Sequence, residues 1–496
     1  MRILGFFVAL VVALACPLMT QGDEMPKIPV TKVTLGNGMR FLTVPRQGSP
    51  TVTCLLFYKV GSVDEAPGMT GLAHFFEHMM FKGTAQIGVK PGMLNKDREL
   101  RQRMDEAHQS LKATGSTPED KEKVDAEIQR LLEEERRDCI IKDEIFGIYR
   151  DAGGTAMNAF TTNEFTCYIV EMPAESLETY FWVESDRMHN LEPREFYSER
   201  EVVRGERRMR YESKPSSLAD MDFMKRAYAG TGYSWPVIGW AEDLDRVSCR
   251  EAMDFYREHY NPGNAIMVLV GDVQPEVVDR LANKYFGPSD RKTTLVSRRT
   301  RNQQAPLGRS VQDYPIPDDD MVVVRYPIPP VSQTDPEPTD LLIAYLNGRQ
   351  GILHKVMVQD KKLARSCQIS RDGFHDADHL VIRCVLRSSV RHEDALAELE
   401  KLIESIKSNP LDPVRLASVK RREAIDMFRA MRSDFHLAMT LGHHELYGSW
   451  EDILKEASRL QSCTVEDVHK VLKSYADPSV LSAGFIRDTR VARSAP

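Results

Sequence analysis

The stretch Gly71-Leu72-Ala73-His74-Phe75-Phe76-Glu77-His78-Met79-Met80-Phe81 decides how this chain is read. Its order is His-x-x-Glu-His, the inverse of the commoner His-Glu-x-x-His. On a helix, His74 and His78 stand one turn apart on one face, so two imidazoles can grip a single metal ion. Glu77 precedes the second histidine, and its carboxylate can serve as general base on a metal-bound water. The plainer alternative is a pair of helix histidines satisfied by hydrogen bonds beside an exposed acid. The apolar character of the rest of the stretch, and the acids available downstream, weigh against it.

Working outward, Asp64-Glu65-Ala66-Pro67-Gly68-Met69-Thr70-Gly71 leads into the motif and Lys82-Gly83-Thr84 follows it. The whole segment from Asp64 to Thr84 resembles the active-site segment of the pitrilysin family of zinc peptidases. The nearest branch is the one that includes the mitochondrial processing peptidase and its bacterial relatives, and similar segments continue to about Val273. Gly153-Gly154-Thr155-Ala156-Met157-Asn158-Ala159-Phe160-Thr161-Thr162 resembles the family's edge strand beside the metal. That resemblance implies peptide binding at Asn158, Ala159, Phe160 and Thr161 by backbone pairing, which tolerates many side chains.

A helix over Pro193–Glu212 carries Glu199-Arg200-Glu201-Val202-Val203-Arg204-Gly205-Glu206. Seven residues make two turns, so Glu199 and Glu206 share a face. With Arg200, Arg204, Arg207 and Arg208 around them, the residues alone leave a solvated charged helix open. The resemblance implies more: Glu206 as third ligand to one Zn2+ per chain, and Glu199 as the carboxylate supporting the site. Glu201 and Glu199 are the other acids that could take the ligand place.

The chain has 496 residues, 42% of them apolar, which is enough for large cores and two domains. A net charge of −7 argues against nucleic acid as a partner. Residues 1–22 read as an export signal: Met1-Arg2, an apolar run from Ile3 to Ala15 too short to span a bilayer, and small residues at Ala13-Leu14-Ala15. A periplasmic or extracellular protein follows, with lipid attachment at Cys16 as a minor alternative. The other seven cysteines form no Cys-x-x-Cys pair. Cys54, Cys167 and Cys384 fall in strand-like runs, so buried free thiols are expected rather than a disulfide framework.

Val30–Leu35 and Met39–Val44 alternate around Gly36-Asn37-Gly38 as a hairpin, and Thr51–Val60 reads as a third strand. Residues 85–152 lengthen the usual family segment. Leu100, Met104, Ala107 and Leu111 recur at helical spacing, as do Val124, Ile128 and Leu131 beyond Thr117-Pro118. Two antiparallel helices account for this; a disordered charged linker is the alternative. Ser248-x-x-Glu251 caps a helix that leads, through Asn261-Pro262-Gly263, to the strand Asn264–Val270. Thr464-Val465-Glu466-Asp467 repeats that unit 216 positions on and leads to Val480–Ile486. Two halves of one fold are therefore expected.

The fold expected is α+β: two homologous α/β sandwich domains, each a mostly antiparallel sheet with helices on one face, plus a helical hairpin at about 90–150. The domains are placed at 28–288 and 313–490, with a linker over 289–312. The second has no His-x-x-Glu-His, and its pairs His375/His379 and His443/His444 read as ordinary polar histidines. Family members often carry an Arg and a Tyr seven residues apart in the second half to bind the substrate carbonyl. Here Val356-Met357-Val358-Gln359-Asp360-Lys361-Lys362-Leu363-Ala364-Arg365 has neither at the required places. The function implied is zinc-dependent endopeptidase action on unfolded peptides, in a heterodimer with a homologous chain supplying Arg and Tyr, or in a homodimer. A non-catalytic scaffold or partner subunit is the rival reading, and a purely structural zinc site a weaker one.

Overall fold

A computed structural model describes residues 28–112, 117–288 and 308–490. The segment read as an export signal and Cys16 lie outside the described residues. Six strands form the first sheet: β1 (Thr31–Thr34), β2 (Arg40–Pro45), β3 (Thr51–Tyr58), β4 (Thr155–Thr161), β5 (Thr166–Pro173) and β6 (Ala265–Gly271), ordered β1-β2-β6-β3-β5-β4. The second sheet has β7 (Ser310–Ile316), β8 (Met321–Ile328), β9 (Ala364–Arg371), β10 (Asp378–Leu386) and β11 (Ser482–Asp488), ordered β7-β11-β8-β10-β9. Apart from β1, the two orders correspond strand for strand. In each sheet one pair is parallel, β2 with β6 and β7 with β11, and the rest are antiparallel. β7 opens at Ser310, inside the segment read as linker, because its backbone pairs along β11 from that residue.

β3 is apolar on both faces because both are covered. Val52, Cys54, Leu56 and Tyr58 face the helices of the first half. Leu55 and Phe57 face the other way, against Leu437, Ala438 and Leu441 of the helix Asp434–Tyr447. That helix belongs to the second half. It approaches so closely that a Cβ on Gly442 would lie 2.2 Å from the Phe57 ring, which only glycine avoids. The exchange is reciprocal: the first half's helix Pro215–Ala227 sets Phe223 against Val323 and Val381 of the second sheet. The expectation of helices on one face thus describes each half alone; in the molecule each half covers the other's free face.

The insertion is the expected helical hairpin, Leu94–Ser110 and Pro118–Asp138, with Thr117 and Asp120 capping the second helix. Leu100, Met104, Ile128 and Leu131 are buried in the first core. The thiol expectation needs one correction. Cys367 and Cys384 stand directly opposite on β9 and β10 and form a disulfide. Cys54, Cys139, Cys167 and Cys249 are buried free thiols.

Candidate metal centre

The His-x-x-Glu-His stretch forms the helix Leu72–Met79, one of the most buried in the molecule. Leu72, Ala73, Phe75, Phe76 and Met79 face the core, so the two histidines are pointed by packing rather than by helix propensity. Both ends are held by side chains. Glu65 accepts hydrogen bonds from the N–H groups of Gly71 and Ala73, each at 2.8 Å, satisfying donors that the first turn leaves bare. Gly71 takes a left-handed φ of 91°, and a Cβ there would meet the Ile238 carbonyl at 2.7 Å. At the other end the wholly buried Arg187 donates to the Met80 carbonyl at 2.9 Å, pairs with Glu184 at 2.6 Å and lies over the rings of Phe81 and Tyr168.

Glu199 and Glu206 lie on the helix Phe196–Arg207, which continues as a π-turn over Arg208–Glu212. A π-turn next to a polar site is a recurring arrangement. Glu206 Oε2 is 3.7 Å from His74 Nε2 and 3.4 Å from His78 Nε2. The ligand atoms of His74, His78 and Glu206 lie within 4.8 Å of one another, and no other such group occurs among the described residues. Zinc bonds of ~2.05 Å in a tetrahedron put neighbouring ligand atoms about 3.3 Å apart, so the two measured separations suit that ion. Glu201 is exposed and stands outside the cluster.

The electrostatics fit the same ion. Burial, then the neighbouring His78 and Arg210, lower the pKa of His74 to about 3, leaving a neutral imidazole with a free lone pair. For His78, burial opposes a charge, but the Glu199 hydrogen bond and the carboxylates of Glu199, Glu77 and Glu206 outweigh it and raise the pKa. The acids thus favour positive charge at this point, and a divalent cation would supply it in place of a proton. Glu199 Oε1 sits 2.9 Å from His78 Nδ1, so Nδ1–H donates and Nε2 is left free towards Glu206. Lys82 Nζ holds the other Glu199 oxygen at 2.5 Å. Arg210 reaches Glu206 Oε1 at 3.0 Å.

Glu77 points from the same helix to β4, where the Thr161 hydroxyl donates to its Oε2 at 2.6 Å. Burial raises its pKa against the pull of that hydrogen bond and of His78. β4 is one of the two edge strands of the first sheet. Thr162 N–H bonds to the Phe165 carbonyl, so alternation along the ladder turns the polar backbone of Asn158 and Phe160 towards β5. Ala159 and Thr161 face outward, and the Asn158 side-chain oxygen accepts the Ala159 N–H at 2.9 Å. Phe160 packs edge-on against Phe165, 5.8 Å away. Of the residues expected to bind peptide, Ala159 and Thr161 therefore offer backbone, Asn158 covers one N–H, and Phe160 anchors the strand.

Sequence reasoning missed Glu65, Lys82, Arg187 and the hydroxyl of Thr161. Only the last left a signal, as the final residue of the quoted Asn-Ala-Phe-Thr. In the second half, Arg365 is drawn to Asp319 at 2.7 Å, and residues 356–365 supply no tyrosine.

Two family models match the chain, the second spanning parts of both halves. Residues 40–90 match the family model described as insulinase (peptidase family M16), and residues 247–423 match the one described as peptidase M16 inactive domain. The chain is 23% identical over 494 residues to the zinc protease PqqE of Helicobacter pylori, covering 98% of each. It is 22% identical over 332 residues to a probable mitochondrial-processing peptidase subunit beta of Arabidopsis thaliana, covering 66% of this chain and about half (52%) of that protein. The crystal structure of a protease from Helicobacter pylori superposes with a TM-score of 0.75 at 21% identity, over 93% of this chain and 99% of that one. No helix among the described residues is long and apolar enough to cross a membrane. The motif helix, the twofold-repeated sheet and these matches agree in supporting a place for the chain in the M16, or pitrilysin, family.

Proposed function

We propose that this chain is a zinc-dependent endopeptidase for unfolded peptides, with His74, His78 and Glu206 as the ligands of one zinc ion. The observation that carries the proposal is the convergence of those three ligand atoms within 4.8 Å beside the carboxylate of Glu77. Bound zinc would act as a Lewis acid, polarising the scissile carbonyl and lowering the pKa of a water it holds. Glu77 takes the proton of the attacking water and delivers it to the leaving amine. The Thr161 hydroxyl fixes which of the Glu77 oxygens remains free. Glu199 keeps His78 in the tautomer that offers Nε2, and Lys82 keeps Glu199 in place. The outward backbone of Ala159 and Thr161 pairs with an extended substrate, displacing the Asn158 side chain. Only a chain without its own structure can lie along that edge.

The donors for the developing oxyanion come, in this proposal, from a second chain. Removing one such donor can cost ~10²–10³ in rate, and residues 356–365 have no tyrosine and an arginine already paired with Asp319. The plant relative is by name a subunit, which agrees with a heterodimer. The apolar start of the chain and the Cys367–Cys384 disulfide support export to an oxidising compartment. The alternative, a non-catalytic subunit, draws on the match of residues 247–423 to an inactive-domain model. That match falls outside the motif helix.

The test is metal analysis and cleavage of an unstructured peptide, by the protein alone and mixed with a homologous chain that carries the Arg and Tyr. About one zinc per chain, lost in Glu206→Ala, and activity that rises on mixing are expected. A zinc-free protein that cleaves nothing in either condition favours the non-catalytic alternative.

A further inference from the structure

Glu164 joins the two halves of the molecule at the turn that ends the substrate edge. It lies between β4 and β5, three positions after Thr161, and is 7% exposed. Its carboxylate accepts hydrogen bonds from three separate elements. Tyr233 Oη donates to Oε1 at 2.5 Å, the His375 N–H to the same oxygen at 2.7 Å, and Tyr447 Oη to Oε2 at 2.8 Å. His375 sits in the turn between β9 and β10, and Tyr447 ends the helix Asp434–Tyr447. Two of the three donors thus come from the half without the metal motif. Rings close the junction: Tyr233 stacks on Phe374 at 4.5 Å, and Tyr447 on His375 at 4.5 Å.

The turn between Glu164 and Thr161 has little freedom to absorb movement. The Thr162 hydroxyl oxygen accepts the N–H groups of Glu164 and Phe165 at 3.1 and 3.0 Å. On the other side, a Cβ on Gly61 would lie 2.4 Å from the backbone of Asn163. A displacement at Glu164 therefore passes to Thr161, whose hydroxyl bonds to Glu77.

We propose that Glu164 is a positioning residue: through it the half without the metal motif fixes the end of β4 and, by way of Thr161, the carboxylate of Glu77. Its consequence for cleavage rests on the peptidase reading given above, whereas the fixing of β4 does not.

The test uses the full chain, zinc-loaded and mixed with a homologous chain that carries the Arg and Tyr, as wild type, Glu164→Ala, Tyr447→Phe, Thr161→Val and the double variant Thr161→Val/Glu164→Ala. Two readouts are taken: kcat and KM on an unstructured peptide, and hydrogen exchange of residues 155–166 and 72–79. Glu164→Ala is expected to lose about tenfold in exchange protection over 155–166 with little change over 72–79. It should also lose roughly tenfold in kcat with KM nearly unchanged. Because both residues act through Glu77, the double variant should be no slower than its slower parent within about twofold. Tyr447→Phe, which removes one hydroxyl and keeps the ring, should move both readouts the same way by less, and it decides the matter if Glu164→Ala does not fold. Unchanged exchange over 155–166, or rate losses that multiply in the double variant, overturns the proposal. If the wild type cleaves no peptide, the peptidase reading fails, and the exchange data decide alone whether Glu164 fixes β4.

Discussion

At the scale of single residues, the site depends on side chains that hold other side chains. Glu199 stands outside the three-residue ligand cluster, yet it sets the tautomer of His78. Glu199→Ala should therefore retain the fold and weaken zinc binding about 10–100-fold, measured by competition with a chelator. Arg187 is wholly buried against Glu184 and under the end of the motif helix. Arg187→Ala would leave that carboxylate buried without a cation, held only by the Tyr149 hydroxyl, at a cost of about 3–5 kcal/mol read from chemical denaturation. His74, Glu77 and His78 were legible in the sequence because one helical turn sets their relation. Glu65, Lys82 and Arg187 were not. Each acts on the site through an atom that only the folded chain brings near, and a lone Glu, Lys or Arg carries no spacing signal.

At the scale of elements, the edge strand and the insertion each make a prediction. Ala159→Pro removes an outward N–H from β4, so KM should rise for peptides of unrelated sequence while zinc content stays constant, as checked by steady-state kinetics on several peptides. In the insertion, Glu135 is fully buried beside Asp97 and Arg101. Burial, then the charge of Asp97, pushes its pKa up to about 8. The folded chain therefore holds a proton that the unfolded chain releases near the ordinary carboxylate value, so this residue's contribution to stability falls as pH rises from about 4.5 to about 8. Glu135→Gln, neutral at every pH, should raise the thermal midpoint at pH 8 by a few degrees and leave it nearly unchanged at pH 5. The hairpin itself was legible, since Leu100, Met104, Ile128 and Leu131 recur at helical spacing and are buried. Its charged interior was not, because Asp97 and Glu135 look like solvated positions in a polar helix.

At the scale of the molecule, the repeat seen in two helix caps extends to the order of both sheets. What the sequence hid is the exchange of helices between halves. Apolar stripes on Pro215–Ala227 and Asp434–Tyr447 announce burial, but not against which sheet. The disulfide escaped for a similar reason: Cys367 and Cys384 meet through strand register, which no cysteine spacing reveals. This exchange makes the half without the metal motif part of the architecture around the site. The central claim is that zinc chemistry runs at the first half's own centre, with Glu77 as the base. It is tested most directly by comparing wild type with Glu77→Gln, each alone and with a homologous chain that carries the Arg and Tyr, for zinc content and peptide cleavage. The amide should keep about one zinc per chain and lose cleavage by several orders of magnitude, because it cannot accept the proton. A Glu77→Gln protein with undiminished cleavage would contradict the account.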